Sequence, residues 1–174
     1  MDTEKKYFFL RFVVERKIIL IFAFALRALR YFRRCFVYTI AIMNKVESAL
    51  QRTTDTKALV IGVDTLPQTA EMFKSLFPAG RALVVADLNT WRVAGKEVHR
   101  ILAEAGIAQD EPHIFTDPKL YAEWTFVEEL DGVLAATDAV PVAVGSGVIN
   151  DLTKLCSHHN GRRYMVVGTA ASMD

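Results

Sequence analysis

A glycine-rich loop, Gly145-Ser146-Gly147, follows the apolar run VAV at 142–144 and leads directly into a helical pattern. Because glycine has no Cβ, the backbone there can turn sharply and approach a ligand closely. The amides at the start of the following helix would then face an anion, and the helix dipole would add attraction, which favours a pyrophosphate. The letters GSGVIND meet neither the G-x-G-x-x-G fingerprint nor the Walker pattern, which needs Gly-Lys-Ser/Thr. Taken alone, the loop fits a tight strand-to-helix turn equally well.

Asp87 ends a second apolar run, RALVVAD at 81–87. A carboxylate at the end of a buried strand can accept hydrogen bonds from both hydroxyls of a ribose, and it would repel a 2′-phosphate. In the usual dinucleotide motif the acid follows the glycines by about 20 residues, whereas here it precedes them. The ribose and pyrophosphate elements would therefore occur in reversed order along the chain. The alternative is an N-cap or a turn residue before Asn89.

A third polar feature, GTAASMD at 168–174, follows the last apolar run. Thr169 and Ser172 offer hydroxyls, and Asp174 offers a carboxylate. The alternative for this segment is a simple capped loop.

The remaining chemistry-bearing residues predict no metal site. His158 and His159 are adjacent in a helical pattern, so their side chains would point about 100° apart. Cys35 and Cys156 lack ligand-like spacing and are typical of reduced thiols in a cytosolic protein. Cys156 falls in an apolar helical stretch, which predicts a small core residue.

The elements that must position these features alternate along the chain. The patterns predict strands at 57–62, 81–87, 113–115, 140–144 and 163–167, and helices at 43–52, 67–77, 93–105, within 120–136 and at 148–159. Such alternation indicates βαβ units, and hence a Rossmann-like α/β fold with a parallel sheet covered by helices on both faces. The carboxyl ends of parallel strands define a ligand crevice, and all three polar features lie at such ends.

The first 42 residues differ from the rest. They hold nine Lys and Arg residues against three Asp and Glu residues, a net charge of +6 in a chain whose total is +1. The longest uncharged run, 18–26, is shorter than the about 20 residues that a bilayer span needs. Arg27, Arg30 and Arg34 share one face of a predicted apolar helix, which fits a membrane-surface helix. The alternative is an extension without a selected role. The sequence therefore divides into a basic leader, 1–42, and an α/β domain, 43–174, and the total charge suggests no nucleic-acid partner.

Three motifs carry a resemblance to a known family: VVADLNTWRVAG at 84–95, PVAVGSGVINDLTK at 141–154 and VVGTAASMD at 166–174. They resemble the sn-glycerol-1-phosphate dehydrogenases of the bacterial type, which belong with iron-containing alcohol dehydrogenases, glycerol dehydrogenases and dehydroquinate synthases. The resemblance covers about 43–174. It implies reduction of dihydroxyacetone phosphate to glycerol 1-phosphate with NAD or NADP, a reaction of glycerophospholipid metabolism.

Residue roles follow from the resemblance by motif. Asp87 matches the acid that binds the adenosine ribose, and Asp174 matches an aspartate that contacts the substrate. The pyrophosphate side corresponds to Gly145, Ser146, Gly147, Val148, Ile149, Asn150 and Asp151. Further cofactor contacts near the nicotinamide correspond to Thr169, Ala170, Ala171 and Ser172.

The family also uses zinc or nickel to polarise the ketone oxygen, which stabilises a developing alkoxide. Its ligands, one aspartate and two histidines, are expected in a helical domain that follows the segment seen here. The resemblance therefore predicts a cofactor half-site with neither catalytic residues nor metal ligands of its own. Two alternatives stay open: a non-catalytic dinucleotide-binding fragment at a membrane surface, and a related polyol dehydrogenase acting on glycerol. The expected location is cytoplasmic, with membrane association and a homo-oligomer left open.

Overall fold

The computed structural model describes residues 9–13, 18–22, 47, 48, 50–53, 56–62 and 64–170. The strands are β1 (Phe9–Val13), β2 (Ile18–Phe22), β3 (Ala82–Asp87), β4 (His113–Phe115), β5 (Val140–Gly145) and β6 (Met165–Gly168). The helices are α1 (Gln68–Leu76), α2 (Leu88–Thr90), α3 (Lys96–Glu104), α4 (Trp124–Ala135) and α5 (Gly147–His159), and a π-helical turn, Trp91–Gly95, joins α2 to α3. Residues 47, 48 and 50–52 are also helical.

A four-stranded parallel sheet with the order β4-β3-β5-β6 forms the centre of the fold. Five of the six residues of β3 are buried, as are five of six in β5 and all four in β6. Strands buried on both faces show continuous apolar runs rather than alternation, and this is the pattern of RALVVAD and VPVAVG. The predicted α/β fold with helices on both faces of a parallel sheet is confirmed.

Two hydrophobic cores cover the two faces of the sheet. On the first face, α1 and α3 pack through Phe73, Val98 and Leu102 against side chains of β3, β5 and β6. On the second face, α4 and α5 pack through side chains such as Leu130 and Leu152 against the opposite sides of the same strands. Successive strand residues point to opposite faces, so each strand contributes to both cores.

The helix that follows β3 begins earlier than the sequence predicted. The predicted start was residue 93, but α2 begins at Leu88, and the π-helical turn carries the helix into α3. Within that turn the Trp91 ring lies over Gly95, where an added Cβ would be 2.6 Å from Trp91 Cε3. Glycine at position 95 therefore leaves room for the Trp91 ring, which packs against the first core.

The strand predicted at 57–62 is wrong, because the structure assigns no strand to these residues. Ala58, Leu59 and Val60 are nevertheless partly buried against the first core. An apolar run can bury its side chains without joining a hydrogen-bonded ladder, and the sequence pattern reports only the burial.

The leader was predicted to be helical, and its ten described residues are not. They form β1 and β2, which pair antiparallel in the register Phe9↔Phe22 to Val13↔Ile18. Aromatic and β-branched residues dominate these two runs and favour extended backbone. The rest of the leader, including the predicted basic face of Arg27, Arg30 and Arg34, lies outside the described residues.

Within the part of the chain that the structure describes, we find no helix long and apolar enough to cross a membrane.

Candidate nucleotide-binding crevice

The carboxyl ends of β3 and β5 lie side by side, and the chain leaves them toward opposite faces of the sheet. The last paired residues are Val85 and Ala143, so Asp87 and Gly145, each two residues further on, end their strands at the same level. Gly145 is in turn paired with Gly168 of β6. The segment after β3 packs on the first core, whereas α5 after β5 packs on the second. This divergence opens the crevice in which parallel α/β sheets bind ligands.

Asp87 caps the helix that follows it. Its Oδ1 accepts hydrogen bonds from the backbone amides of Asn89 at 2.7 Å and Thr90 at 2.9 Å. The Thr90 hydroxyl oxygen accepts from the Asp87 backbone N–H at 3.0 Å, which completes a reciprocal capping box. The N-cap alternative for Asp87 is therefore observed. Among the described residues no donor contacts Oδ2, so the cap orients the carboxylate and leaves one oxygen for a ligand.

Gly145 allows α5 to begin directly against the end of β5. The residue is buried, and an added Cβ would lie 2.6 Å from Cβ of Ile149. Real Cβ atoms do not approach one another so closely. Glycine is therefore required here by packing between strand and helix, whatever the loop binds.

The first turn of α5 retains donors for an anion. Ser146 is the N-cap residue with an extended backbone, but its side chain makes no capping hydrogen bond. The first intrahelical amide bond runs from Asn150 N–H to Ser146 O at 3.0 Å. The amides of Gly147, Val148 and Ile149 precede that bond and have no acceptor within the helix. The end of the helix therefore combines free N–H groups with the positive end of its dipole, as anion sites do.

The other predicted residues of this loop differ in their exposure. Ile149 is 1% exposed and belongs to the second core, so its side chain serves packing. Asn150 is 2% exposed; its Nδ2 donates to Asp151 Oδ1 at 3.2 Å, and its Oδ1 has no partner among the described residues. Asp151 itself is exposed. The loop can thus offer a ligand mainly backbone amides and the Ser146 hydroxyl.

The segment after β6 meets the same edge of the sheet. Thr169 N–H donates to Gly145 O at 3.0 Å, which places Thr169 beside the glycine loop, and Ala170 follows it. Both residues are partly exposed. Ala171, Ser172 and Asp174 lie outside the described residues. The structure therefore brings together Asp87, Gly145, Ser146 and Thr169 from three strand ends.

The sequence patterns did not single out the Arg92 side chain, which lies near Asp87. Arg92 donates from Nε to Leu88 O at 3.1 Å and from Nη2 to Asn89 Oδ1 at 2.7 Å, so its guanidinium turns back toward the capped end of the helix. The only signal in the sequence was the short spacing from Asp87. That signal became informative only once the helix was known to start at Leu88.

Titratable residues elsewhere in the described part of the chain do not form a second centre. Among the described residues, no three His, Cys, Asp or Glu side chains gather closely enough to hold a metal ion. Cys156 is fully buried in the second core, and burial raises the pKa of its thiol to about 12, with the Asp131 charge adding to the effect. The prediction of a small core residue at this position is confirmed.

At the opposite edge of the sheet, Asp110 accepts hydrogen bonds from Arg81 and from the Thr137 hydroxyl. These two bonds lower the pKa of the Asp110 carboxyl. The cluster connects the residue before β3 with the loops that precede β4 and β5. It therefore holds these segments together at the amino ends of the strands, away from the crevice.

The chain is similar to part of several curated enzymes. The chain is 29% identical to the glycerol-1-phosphate dehydrogenase (NAD(P)+) of Pyrococcus furiosus over 119 residues, which are 68% of this chain and 33% of that protein. It is 33% identical to the enzyme of the same name from Methanosarcina mazei over 120 residues, 67% of this chain and 32% of that one. It is 28% identical to the enzyme of the same name from Bacillus licheniformis over 123 residues, which are 67% of this chain and 29% of that protein. The chain thus spans about a third of the length of the curated relatives it matches.

The family assignment covers both sides of the crevice. Residues 60–174 match the family described as iron-containing alcohol dehydrogenase, whose members are NAD(P)-dependent oxidoreductases that act on CH–OH groups. The matched segment contains Asp87, the glycine loop and the strand ends that hold them. The chain therefore belongs to the iron-containing alcohol dehydrogenase family.

Proposed function

We propose that residues 43–174 are the dinucleotide-binding domain of a glycerol-1-phosphate dehydrogenase, which reduces dihydroxyacetone phosphate to sn-glycerol 1-phosphate with NADH or NADPH. The observation that carries this proposal is the crevice between β3 and β5, where Asp87 and Gly145 end neighbouring strands at one level. The family assignment and the names of the relatives support the choice of reaction.

Two parts of a dinucleotide, the adenosine ribose and the pyrophosphate, would each meet a matching group in the crevice. The free Oδ2 of Asp87 would accept hydrogen bonds from the adenosine ribose. The pyrophosphate would lie at the positive end of the dipole of α5. It would accept hydrogen bonds from the amides of Gly147, Val148 and Ile149 and from the Ser146 hydroxyl. The reversed order of the two elements along the chain does not matter, since β3 and β5 are neighbours in the sheet.

The far end of the cofactor would run toward β6. Thr169 and Ala170 lie beside the glycine loop, and we assign them, with Ala171 and Ser172, to the nicotinamide side. We assign Asp174 to the substrate. When bound, a divalent metal would polarise the ketone oxygen in this family. The described residues do not fit that metal, because no set of three suitable ligands gathers among them. We therefore derive no catalytic step for this chain.

Isothermal titration of the full chain with NADH and with NADPH tests the proposal. We expect saturable binding of at least one of them by a sample whose cooperative unfolding shows that it is folded. ADP-ribose should compete, because the proposed contacts in the described residues lie on the adenosine and pyrophosphate parts. A folded sample that binds neither nucleotide would contradict the proposal.

The variant Asp87→Asn separates the two roles of Asp87. An asparagine oxygen can still accept from the amides of Asn89 and Thr90, and Asn is as good an N-cap as Asp. The free energy of unfolding should therefore change little. The variant removes the negative charge that would repel a 2′-phosphate, so NADPH should gain affinity relative to NADH. If the ratio of the Kd values for NADPH and NADH is the same in the variant and in the unmodified protein, Asp87 does not bind the ribose.

A further inference from the structure

Arg92 lies next to the group that would receive the adenosine ribose. Its guanidinium donates to Asn89 Oδ1 at 2.7 Å, and the backbone amide of Asn89 donates to Asp87 Oδ1 at 2.7 Å. A second bond, from Nε to Leu88 O at 3.1 Å, holds the guanidinium against the same turn. A carboxylate and a guanidinium are thus connected through one residue at the end of β3.

Among the described residues, no carboxylate compensates the positive charge of Arg92. Arg81 pairs with Asp110, and Arg100 pairs with Glu97 and Glu104. For Arg92, no carboxylate oxygen of the described residues lies within the ion-pair distance of 4.0 Å, and both acceptors of its hydrogen bonds are neutral.

Arg92 is also exposed, and part of its donor capacity is unused. A guanidinium has five N–H donors in a rigid fork, and only Nε and Nη2 have acceptors among the described residues. The neighbouring Trp91 is packed against the first core, so the backbone that carries Arg92 is anchored. The side chain can therefore change acceptors without moving the helix.

We propose that Arg92 is a specificity-determining residue that binds the 2′-phosphate of NADP(H), and that Asn89 is its positioning residue. This inference rests on the proposed function, because it needs the adenosine ribose to lie at Asp87. NADP differs from NAD by a phosphate on the ribose 2′-oxygen, which Asp87 repels and a nearby arginine can accept. Arg92 would exchange neutral acceptors for a phosphate, whose negative charge attracts the guanidinium and whose oxygens can accept two parallel hydrogen bonds from it. The opposing charges of Asp87 and Arg92 let one site accept both cofactors.

Titration of the full-length chain with NADPH and NADH, comparing Arg92→Gln with the unmodified protein, tests this assignment. We expect the Kd for NADPH to rise about tenfold, and the Kd for NADH to stay within about twofold, because only NADPH carries the 2′-phosphate. The matched control is Arg100→Gln, which removes the same charge from an exposed arginine of α3. It should leave the ratio of the two Kd values unchanged. Equal unfolding midpoints would show that both variants are folded.

Two variants of Asn89 test the positioning role. Asn89→Ala removes the side-chain acceptor and should weaken NADPH less than Arg92→Gln does, since the guanidinium is still present. Asn89→Asp keeps an acceptor but adds a carboxylate that would pair with Arg92 and compete with the phosphate. It should weaken the binding of NADPH more than Asn89→Ala does, and it should change the binding of NADH little.

The outcomes separate the two proposals. If the folded chain binds neither nucleotide, the proposed function fails and this inference fails with it. If both nucleotides bind and Arg92→Gln weakens NADPH no more than Arg100→Gln does, only the assignment of Arg92 is overturned.

Discussion

At the scale of single residues, Asp87 and Gly145 each combine a structural task with a position at the crevice. Asp87 uses one carboxylate oxygen to cap a helix, and this cap directs the other oxygen. Gly145 is glycine because Ile149 lies where its Cβ would be. Both structural roles were alternatives to ligand binding in the sequence reasoning. The structure makes them compatible, because a residue that is rigidly held can also present a group to a ligand.

Gly145→Ala should destabilise the domain. The new Cβ would overlap Ile149 in a closely packed region, and overpacking of this kind costs about 1–3 kcal/mol in the free energy of unfolding. Urea unfolding followed by circular dichroism measures the change. The matched control is Gly132→Ala in α4, where no atom lies within 4 Å of the added Cβ. It should stabilise by about 0.5–1 kcal/mol, since alanine favours a helix. Equal effects of the two changes would refute the packing argument.

At the scale of elements, the sheet order decides which residues meet. The sequence patterns predicted β3, β4, β5 and β6 and the helices between them. The spacing of apolar residues within each element follows from which of its faces are buried. They did not predict the π-helical turn at Trp91–Gly95, which depends on how the Trp91 ring packs against the first core. The prediction of a strand at 57–62 was wrong for a related reason. A strand also needs a neighbouring strand with which to form backbone hydrogen bonds, and an apolar run alone does not provide one.

Strand β4, at the edge of the sheet, contains a histidine whose protonation should oppose folding. The His113 side chain is mostly buried beside the Phe115 ring, and this burial lowers its pKa, while Glu129 at 3.2 Å partly offsets the shift. A base with a lowered pKa takes up its proton more readily in the unfolded chain. Its contribution to stability is therefore present above the ordinary histidine pKa of about 6.5 and is lost as pH falls below it.

The free energy of unfolding, measured between neutral and mildly acidic pH, tests this sign. His113→Gln should make the fall in stability with acidification shallower, because the group that takes up the proton is gone. Glu129→Gln should make it steeper, because the pKa of His113 then falls further. If the two variants lose stability with acidification at the same slope, the lowered pKa is not that of His113.

At the scale of the whole molecule, the described residues contain the crevice proposed for the cofactor. The chain spans about a third of the length of the relatives it matches, and the described residues contain no metal-binding set. The leader hypothesis, a basic helix at a membrane surface, stays a prediction for residues outside the described part. The described part of the chain holds most of the residues proposed for the cofactor.

We therefore expect binding of NADH without its consumption. The full chain, mixed with NADH, dihydroxyacetone phosphate and either zinc or nickel, should oxidise NADH no faster than the same mixture without protein. Loss of NADH absorbance gives the rate, and titration of the same sample shows that the nucleotide is bound. Turnover above the background would show that this chain supplies the metal ligands itself.

The sequence by itself determined the four strands of the parallel sheet, because burial imposes a periodicity on each segment separately. It also led to the prediction that Asp87 and the glycine loop bind a ribose and a pyrophosphate, since that prediction depends on residue type. Only the tertiary structure decided that Asp87 and Gly145 lie at one level of neighbouring strands, and that Arg92 turns back toward Leu88 and Asn89. These facts depend on strand order, register and helix start, which arise from packing between segments distant in the chain.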